Sequence, residues 1–336
     1  MTQQKVLSLI QPTGKLHLGR YFGAIKNWVR LQSSYQSVFG VANFHAMTMP
    51  YDVKNLANVT WELCYNLIAA GIKPENLFIQ SLVPEHTELY WILNNMCGFG
   101  ELQKMTQFKD KSLQVKEGGK DSFISSGLYT YPVLQAADIL IYHADFVPVG
   151  KDQEQHLELT RNIAQRFNHV VGKEYFVLPE PLFTEIPKVM STADPSRKMS
   201  ASLGEKHHID LFGEPARITK QIKSAVTDAG DHPSDSMSPG VENLFSLMKA
   251  SGNLEKHAEL VELYRQGGLR YGDLKMEVAE SLISMTEPIR ERKRQILEDK
   301  KNIKEQIRES SAKVRDRAQK TLLEVKDLVG LLNLRY

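Results

Sequence analysis

An α/β fold built on a doubly wound parallel sheet, followed by a C-terminal all-helical domain, is what this 336-residue sequence predicts. Three observations carry the prediction. Short apolar runs of strand length alternate with stretches of helical spacing through the first half of the chain, which is the pattern of parallel strands joined by crossover helices. Strand signals then stop near Ile209, and the remainder reads as helix. With 42% hydrophobic residues, the chain carries enough apolar material for a substantial core.

Residues 6–10, 37–42, 77–81 and 145–149 are short apolar runs and read as strands. Between and after them, residues 21–31, 53–70, 88–97 and 154–167 carry helical spacing. The segment 101–121 is polar, rich in lysine and contains Gly118-Gly119, so it reads as an exposed connection interrupting the sheet domain. Beyond it, helical spacing covers residues 215–225, 241–249, 254–265, 271–284 and 287–332. The division expected is 1–208 for the sheet domain, with a connective insertion around 100–145, and 209–336 for the helical one.

No apolar run approaches the roughly 20 residues of a membrane helix, and the start has no signal-peptide pattern, so a cytoplasmic protein is expected. The two cysteines, Cys64 and Cys97, form no C-x-x-C pair and offer no zinc ribbon or disulfide framework; both are expected to be buried. The net charge of +2 hides an asymmetry. Residues 289–336 hold fourteen Lys and Arg against eight Asp and Glu, while the rest of the chain holds 28 against 32. A basic end on a mildly acidic protein points to a polyanionic partner there, although i,i+4 ion pairs on a solvated helix give the same composition.

Two segments carry chemistry. Gln11-Pro12-Thr13-Gly14-Lys15-Leu16-His17-Leu18-Gly19-Arg20 links the first strand to the first helix, where backbone N–H groups and a helix N-terminus are offered to an anion. Lys198-Met199-Ser200-Ala201-Ser202 lies in an aperiodic Ser/Pro-rich stretch able to close over phosphates. Together, in this order, they resemble the HIGH-like and KMSKS-like signatures with which class I aminoacyl-tRNA synthetases bind ATP. Gly100-Glu101-Leu102, Met105-Thr106-Gln107-Phe108-Lys109, Ala136-Ala137-Asp138-Ile139-Leu140, Val147-Pro148-Val149-Gly150-Lys151-Asp152-Gln153-Glu154-Gln155-His156 and Lys223-Ser224-Ala225-Val226-Thr227-Asp228 are similar to segments of bacterial-type tryptophanyl-tRNA synthetases. The resemblance covers essentially the whole chain.

It implies a Rossmann-like catalytic domain, an anticodon-binding helical domain, and ATP with Mg²⁺ carried by the nucleotide, with no protein metal site. It implies ATP contacts from Gln11, Pro12, Thr13, Gly14, His17, Gly19 and Arg20, from Gly150, Lys151 and Asp152, and from Val189, Lys198, Met199, Ser200, Ala201 and Ser202. Gln11, His17, Lys111 and Lys198 are implied to be catalytic. Adenylate formation needs charge neutralisation more than an acid or base, because negative charge spreads over phosphate oxygens. The second lysine of the loop is here Ala201, as in KMSAS-type loops, so the burden falls on Lys198 and Lys111, with Arg20 a candidate extra cation. A surface arginine at a helix start is the plainer reading of Arg20, and a helix N-cap that of Asp152.

Indole has one donor and no acceptor, so a site selecting tryptophan sets a carboxylate against that N–H in a flat apolar pocket, and Asp138 is the candidate. By resemblance Tyr131 and Gln153 take the ammonium group, while Leu7, His45, Val147 and Val149 line the pocket. His45 is equally readable as a satisfied core histidine. Gln135 stands where many tryptophanyl enzymes have methionine, and Tyr131-Pro132-Val133-Leu134-Gln135-Ala136-Ala137-Asp138 resembles a tyrosyl-enzyme stretch. The Val147 to His156 segment sides with tryptophan, and Gln135 is expected at the ammonium or carboxylate that both amino acids share. The expected partners are L-tryptophan, ATP, tRNA(Trp) and a second copy of the chain, with residues 97–100 and 123–134 contributing the dimer face. Tyrosine–tRNA ligase, a nucleotidyltransferase and a non-catalytic synthetase paralogue are the alternatives.

Overall fold

The computed structural model describes residues 3–117, 123–150, 153–183, 189–227 and 237–333, without the side chains of 109–111, 114, 116 and 117. Its sheet has five strands, β1 (Lys5–Ile10), β2 (Gln36–Val41), β3 (Leu77–Ile79), β4 (Phe146–Pro148) and β5 (Glu180–Leu182), in the order β3-β2-β1-β4-β5. Every pairing is parallel. The chain moves outward from β1 to β3, then crosses back to β4 on the other side of β1. That reversal makes the C-terminal ends of β1 and β4 the point where an open α/β sheet leaves a crevice for ligands.

Four strands coincide with the apolar runs to within two residues. The fifth, β5, is three residues long and contains Pro181, which suits its place at the sheet edge. At Gly40 in β2 a Cβ would come within 2.8 Å of Leu9 and Phe78 side chains, so only glycine lets β2 sit between its neighbours.

The first helical stretch is α over Leu18–Arg20 (α1), π over Tyr21–Ile25, and α again over Lys26–Leu31 (α2). π turns are rare and concentrate at functional sites, and this one directly follows the first signature. Trp28 of α2 stacks on Phe39 of β2, rings 4.8 Å apart and 8° from parallel. The short α3 (Asn43–Ala46) and then α4 (Leu56–Ala69) and α5 (Glu85–Asn94) complete the first crossovers.

The described part of the segment expected as an exposed connection forms two helices, α6 (Phe99–Gln103) and α7 (Thr106–Glu117), while residues 118–121 of that expectation lie outside the described residues. Leu102, Met105 and Val115 are buried, and Glu101 accepts the Gly98 N–H at 2.8 Å to cap α6. Next comes α8 (Ser126–Leu140), capped by Ser125, whose Oγ accepts the Leu128 N–H. It carries Pro132 and nine buried residues, so it shows no amphipathic spacing to read. α9 (Glu154–Val171) ends on Gly172 in the left-handed region, φ 66°.

The regular elements of the C-terminal part are, among the described residues, all helices: α10 (Pro215–Lys223), α11 (Pro239–Ser251), α12 (Leu254–Arg265), α13 (Tyr271–Glu298) and α14 (Lys300–Leu328). The last break falls at Asp299 rather than near residue 285, because α13 runs through Pro288 with Thr286, Ile289 and Arg290 buried on both sides of it. Packing holds a helix that local propensity would kink. This part shares its core with the sheet. Val314, Ala318, Leu322 and Val325 of α14 join the cluster containing Phe78 and Leu93, and Ser311 Oγ accepts the Ile79 N–H of β3 at 3.2 Å. Arg292 of α13 donates to the Ala69 carbonyl at the end of α4 at 2.8 Å.

Cys64 lies buried in α4, but Cys97 is only half-buried, contrary to expectation. Burial pushes both thiols above their ordinary range, Cys97 to about 11. Among the described residues no helix is long and apolar enough to cross a membrane.

Candidate active site

At the crevice between β1 and β4 lies a cavity of about 340 Å³. All eight residues expected at the amino acid line it: Leu7 on β1, His45 on α3, Tyr131, Gln135 and Asp138 on α8, Val147 and Val149 at β4, and Gln153. Four elements distant in sequence therefore converge where the sheet topology opens a crevice. Gln11, Thr13, Arg20, Gln107 and the main chain of β1 complete the wall.

Asp138 is 1% exposed and is held by three donors. His45 Nε2 lies 2.8 Å from Oδ2 and His86 Nδ1 2.5 Å from Oδ1, while Gln80 Nε2 straddles both oxygens at 2.8 and 2.9 Å. Burial by itself raises the carboxyl pKa, but the His86 charge and the hydrogen bonds from His45 and His86 overturn that and hold it down at about 2. The group is an anion at any working pH. The other ring nitrogen of His86, Nε2, stands 2.6 Å from the Tyr142 phenol oxygen. Burial, with Asp138 and Glu85 nearby, keeps that phenol protonated. A carboxylate offers about four lone-pair positions and these three donors make four contacts with it, so a ligand's N–H reaches the group by replacing one of Gln80's two. Gln80 and His86 went unread in the sequence; their one signal was polar side chains next to an otherwise apolar strand end. Two turns before Asp138 on the same helix, the Tyr131 phenol stands 2.8 Å from His156 Nε2 and 3.3 Å from Gln107 Oε1, and burial keeps it protonated.

A second cavity, about 670 Å³, adjoins the first through Thr13 and Arg20. Gly14, Lys15 and His17 from the first signature and Ser200, Ala201 and Ser202 from the second line it. The first signature is tied by main-chain bonds to the segment that follows the second: Leu18 N–H donates to the Ile209 carbonyl at 2.9 Å, Leu211 N–H to the Leu16 carbonyl at 3.0 Å, and His17 bridges Asp210. At Gly19 a Cβ would meet the His17 ring at 3.0 Å and Met199 Cβ at 3.1 Å, so glycine lets the loop settle on the turn. Burial first, then Arg20 and His208, push His17 down to about 4, leaving a neutral ring near pH 7.

Arg20 is not a surface arginine. Its Nη1 donates to the Thr13 carbonyl at 2.6 Å and its Nη2 to the Gln11 carbonyl at 3.1 Å, so it clamps the turn while lining both cavities. The loop itself is anchored from behind. Asn243 of α11 bonds Met190 on both sides, and Val226 N–H donates to the Thr192 carbonyl at 2.9 Å. At Gly240 a Cβ would sit 2.2 Å from the Val226 carbonyl, which fixes glycine there.

Some expected residues are not brought in. Met199 points into the core at 5% exposure and Val189 is likewise buried, its carbonyl accepting the Met199 N–H. That leaves the Lys198 side chain exposed and outside both cavities. Pro12 and Gly150 flank the cavities without lining them. Lys151, Asp152 and the Lys111 side chain lie outside the described residues.

The family described as tRNA synthetases class I (W and Y) matches residues 2–287. The tryptophan–tRNA ligase of Helicobacter pylori (strain ATCC 700392 / 26695) is 44% identical over 337 aligned residues, spanning 99% of this chain and all of the relative. Two solved structures superpose closely. The tryptophanyl-tRNA synthetase of Campylobacter jejuni, complexed with ADP and tryptophan, has a TM-score of 0.82 at 36% identity, covering 98% of this chain and 100% of its own. That of Mycoplasma pneumoniae has a TM-score of 0.85 at 31% identity, covering 98% and 99%. The chain belongs to the class I tRNA synthetases for tryptophan and tyrosine, and within them to the tryptophan–tRNA ligases.

Proposed function

We infer that the protein activates L-tryptophan with MgATP, forming tryptophanyl-adenylate and pyrophosphate, and then transfers tryptophan to the 3′ end of tRNA(Trp). The observation that carries this reading is the meeting of two cavities at Thr13 and Arg20: one deep and mostly apolar with a buried carboxylate, the other lined by both signatures. Tryptophan enters the first with its indole N–H toward Asp138 and its ammonium group among Tyr131, Gln135 and Gln153. Its carboxylate then lies toward Gln11 and the junction, where the α-phosphate of ATP in the second cavity is within reach of attack. Arg20, fixed by two carbonyls, places its charge between the reacting groups without reorganising. An oxygen of the tryptophan carboxylate bonds to the α-phosphorus as the bond to pyrophosphate breaks; the tRNA hydroxyl later attacks the carbonyl of the mixed anhydride and expels AMP.

Exposed Trp91, Phe99 and Phe123 lie on and beside α5, α6 and α8, and they support a homodimer through that face. The basic tail supports tRNA binding in the cytoplasm, with one change from the sequence reading. Arg290 is 3% exposed and donates to Gly213, Thr286 and Glu287, so it is a strut between α13 and the turn at Gly213. Exposed Arg294, Lys300 and Lys301 are the better test. Wild-type enzyme is expected to exchange pyrophosphate into ATP with tryptophan and with none of the other nineteen amino acids; exchange driven by tyrosine instead would overturn the reading. Glutamine at those three positions should leave exchange intact, weaken aminoacylation and shallow its salt dependence by about one unit of log–log slope per lost phosphate contact. Equal loss in both assays would refute a tRNA role.

A further inference from the structure

Behind the second signature, His208 has been given no role by the motifs. It is 3% exposed, lines the second cavity, and its ring stands 5.9 Å from that of His17, edge to face. Its Nδ1 lies 2.9 Å from the Gly204 carbonyl and donates to it, which fixes Nε2 as the free end of the ring. Nε2 has no hydrogen-bond partner among the described residues. A buried ring nitrogen without a partner costs free energy unless a ligand supplies one.

The main chain that carries this ring is anchored from outside the loop, while the ring itself is tied to Gly204 at the loop's end. The His208 carbonyl accepts from Gln221 Nε2 at 2.8 Å, and the next residue, Ile209, accepts the Leu18 N–H. His208 is therefore bolted to the first signature from one side and to α10 from the other. Across the cavity stands Ala201, the position at which the loop lacks its second lysine, with its Cβ 3.8 Å from where a Cβ on Gly14 would be. The cavity between them is rimmed by the hydroxyls of Ser200 and Ser202 and by Lys15 and Arg20. Donors and cations in that number suit a polyanion rather than a purine face. The one carboxylate there, Glu205, is engaged by Arg217 at 2.9 Å and Lys15 at 3.9 Å.

We propose that His208 binds the pyrophosphoryl end of ATP through Nε2–H, supplying part of the neutralisation that Ala201 cannot. Resting on the ligase reading above, this assigns the residue to the leaving group rather than to the adenosine or the amino acid. With Nδ1–H given to Gly204, a proton taken up at Nε2 when the anion binds makes the ring both cation and donor; it is returned to solvent when pyrophosphate leaves.

Two substitutions separate this role from a structural one. An asparagine amide overlays Nδ1 of histidine, and a glutamine amide overlays Nε2. His208→Asn thus keeps the bond to Gly204 and loses the group facing the cavity, and His208→Gln does the reverse. In tryptophan-dependent exchange, His208→Asn is expected to raise KM for pyrophosphate about tenfold or more with KM for tryptophan unchanged, and His208→Gln, which keeps the donor but not the charge, to raise it clearly less than the Asn variant does. Thermal melts of both establish folding. A folded Asn variant with wild-type KM for pyrophosphate overturns the proposal, as does a Gln variant damaged as much as the Asn one. A wild-type enzyme that fails to exchange at all overturns the ligase reading and this assignment together, whereas a normal wild type with a normal Asn variant overturns this assignment alone.

Discussion

Replacing Asp138 with alanine is expected to cost about 3–5 kcal/mol of stability and to abolish measurable tryptophan activation, because it strands His45, His86 and Gln80 around a missing acceptor. Against a total stability of about 5–15 kcal/mol, that is a large fraction. Asp138→Asn is the milder test. It keeps shape and one acceptor oxygen, so the fold should survive while a charge-assisted bond to the indole N–H, about 1.5–3 kcal/mol, is lost and KM for tryptophan rises tenfold or more. The pH dependence has a definite sign. A carboxyl held at about 2, below its ordinary 3.8, contributes stability that is complete above about pH 4 and is lost as pH falls toward 2. KM for tryptophan should consequently show no carboxylate titration above pH 5. A folded Asn variant with unchanged KM would take Asp138 out of contact with the substrate.

The same residue marks how far sequence reading reached. That an acid lies among Ala136, Ala137, Ile139 and Leu140 was visible, and so was its need of partners. The partners were not visible, because Gln80 and His86 arrive from the far end of β3 and from α5, some 50 to 60 positions away. Local pattern reports period and punctuation; it does not report which polar side chains a sheet topology folds together. The strands were legible since β1, β2 and β3 carry short, mostly apolar runs bounded by turns. α8 was not, for the opposite reason: a helix buried on most sides has no contrast between faces, and Pro132 in its first turns argues against it.

The nucleotide side shows a different limit. Gly14 and His17 line the second cavity and Gly19 lies against His17 and Met199, an arrangement that a turn between β1 and α1 fixes by local geometry. Arg20 read as a surface residue or a spare cation, and proves to be a clamp on the Gln11 and Thr13 carbonyls. The charge count at the C-terminus was correct as composition, yet it counted Arg290, Arg315 and Lys326 among tRNA-facing cations. Arg290 is buried, and the other two are paired with Glu85 and Glu88 of α5. Composition cannot separate a charge that faces a partner from one that staples two helices.

Lys198→Ala is expected to lower the single-turnover rate of adenylate formation by roughly 10²–10³, the scale of losing one charge donor to the transition state, with a much smaller change in tryptophan affinity. The resting geometry makes this a test of motion as well as chemistry. Met199 is buried against Gly19 while Lys198 is exposed and outside the cavity, so the lysine reaches phosphate only if the loop closes further over it. Binding ATP should then order the loop in the wild type and order it less in the variant, a difference that protection of residues 196–204 from proteolysis would register. Ala201→Lys is the converse. Its side chain would grow from a Cβ already facing Gly14 across the second cavity, so it should fold normally and match or exceed the wild-type rate. Arg20→Asn removes both a cation and the clamp on the turn, so its rate should fall further than its ATP affinity. If Lys198→Ala forms adenylate at the wild-type rate, the loop is no part of the chemistry, and the neutralising charge must come from the residues already seated around the cavity.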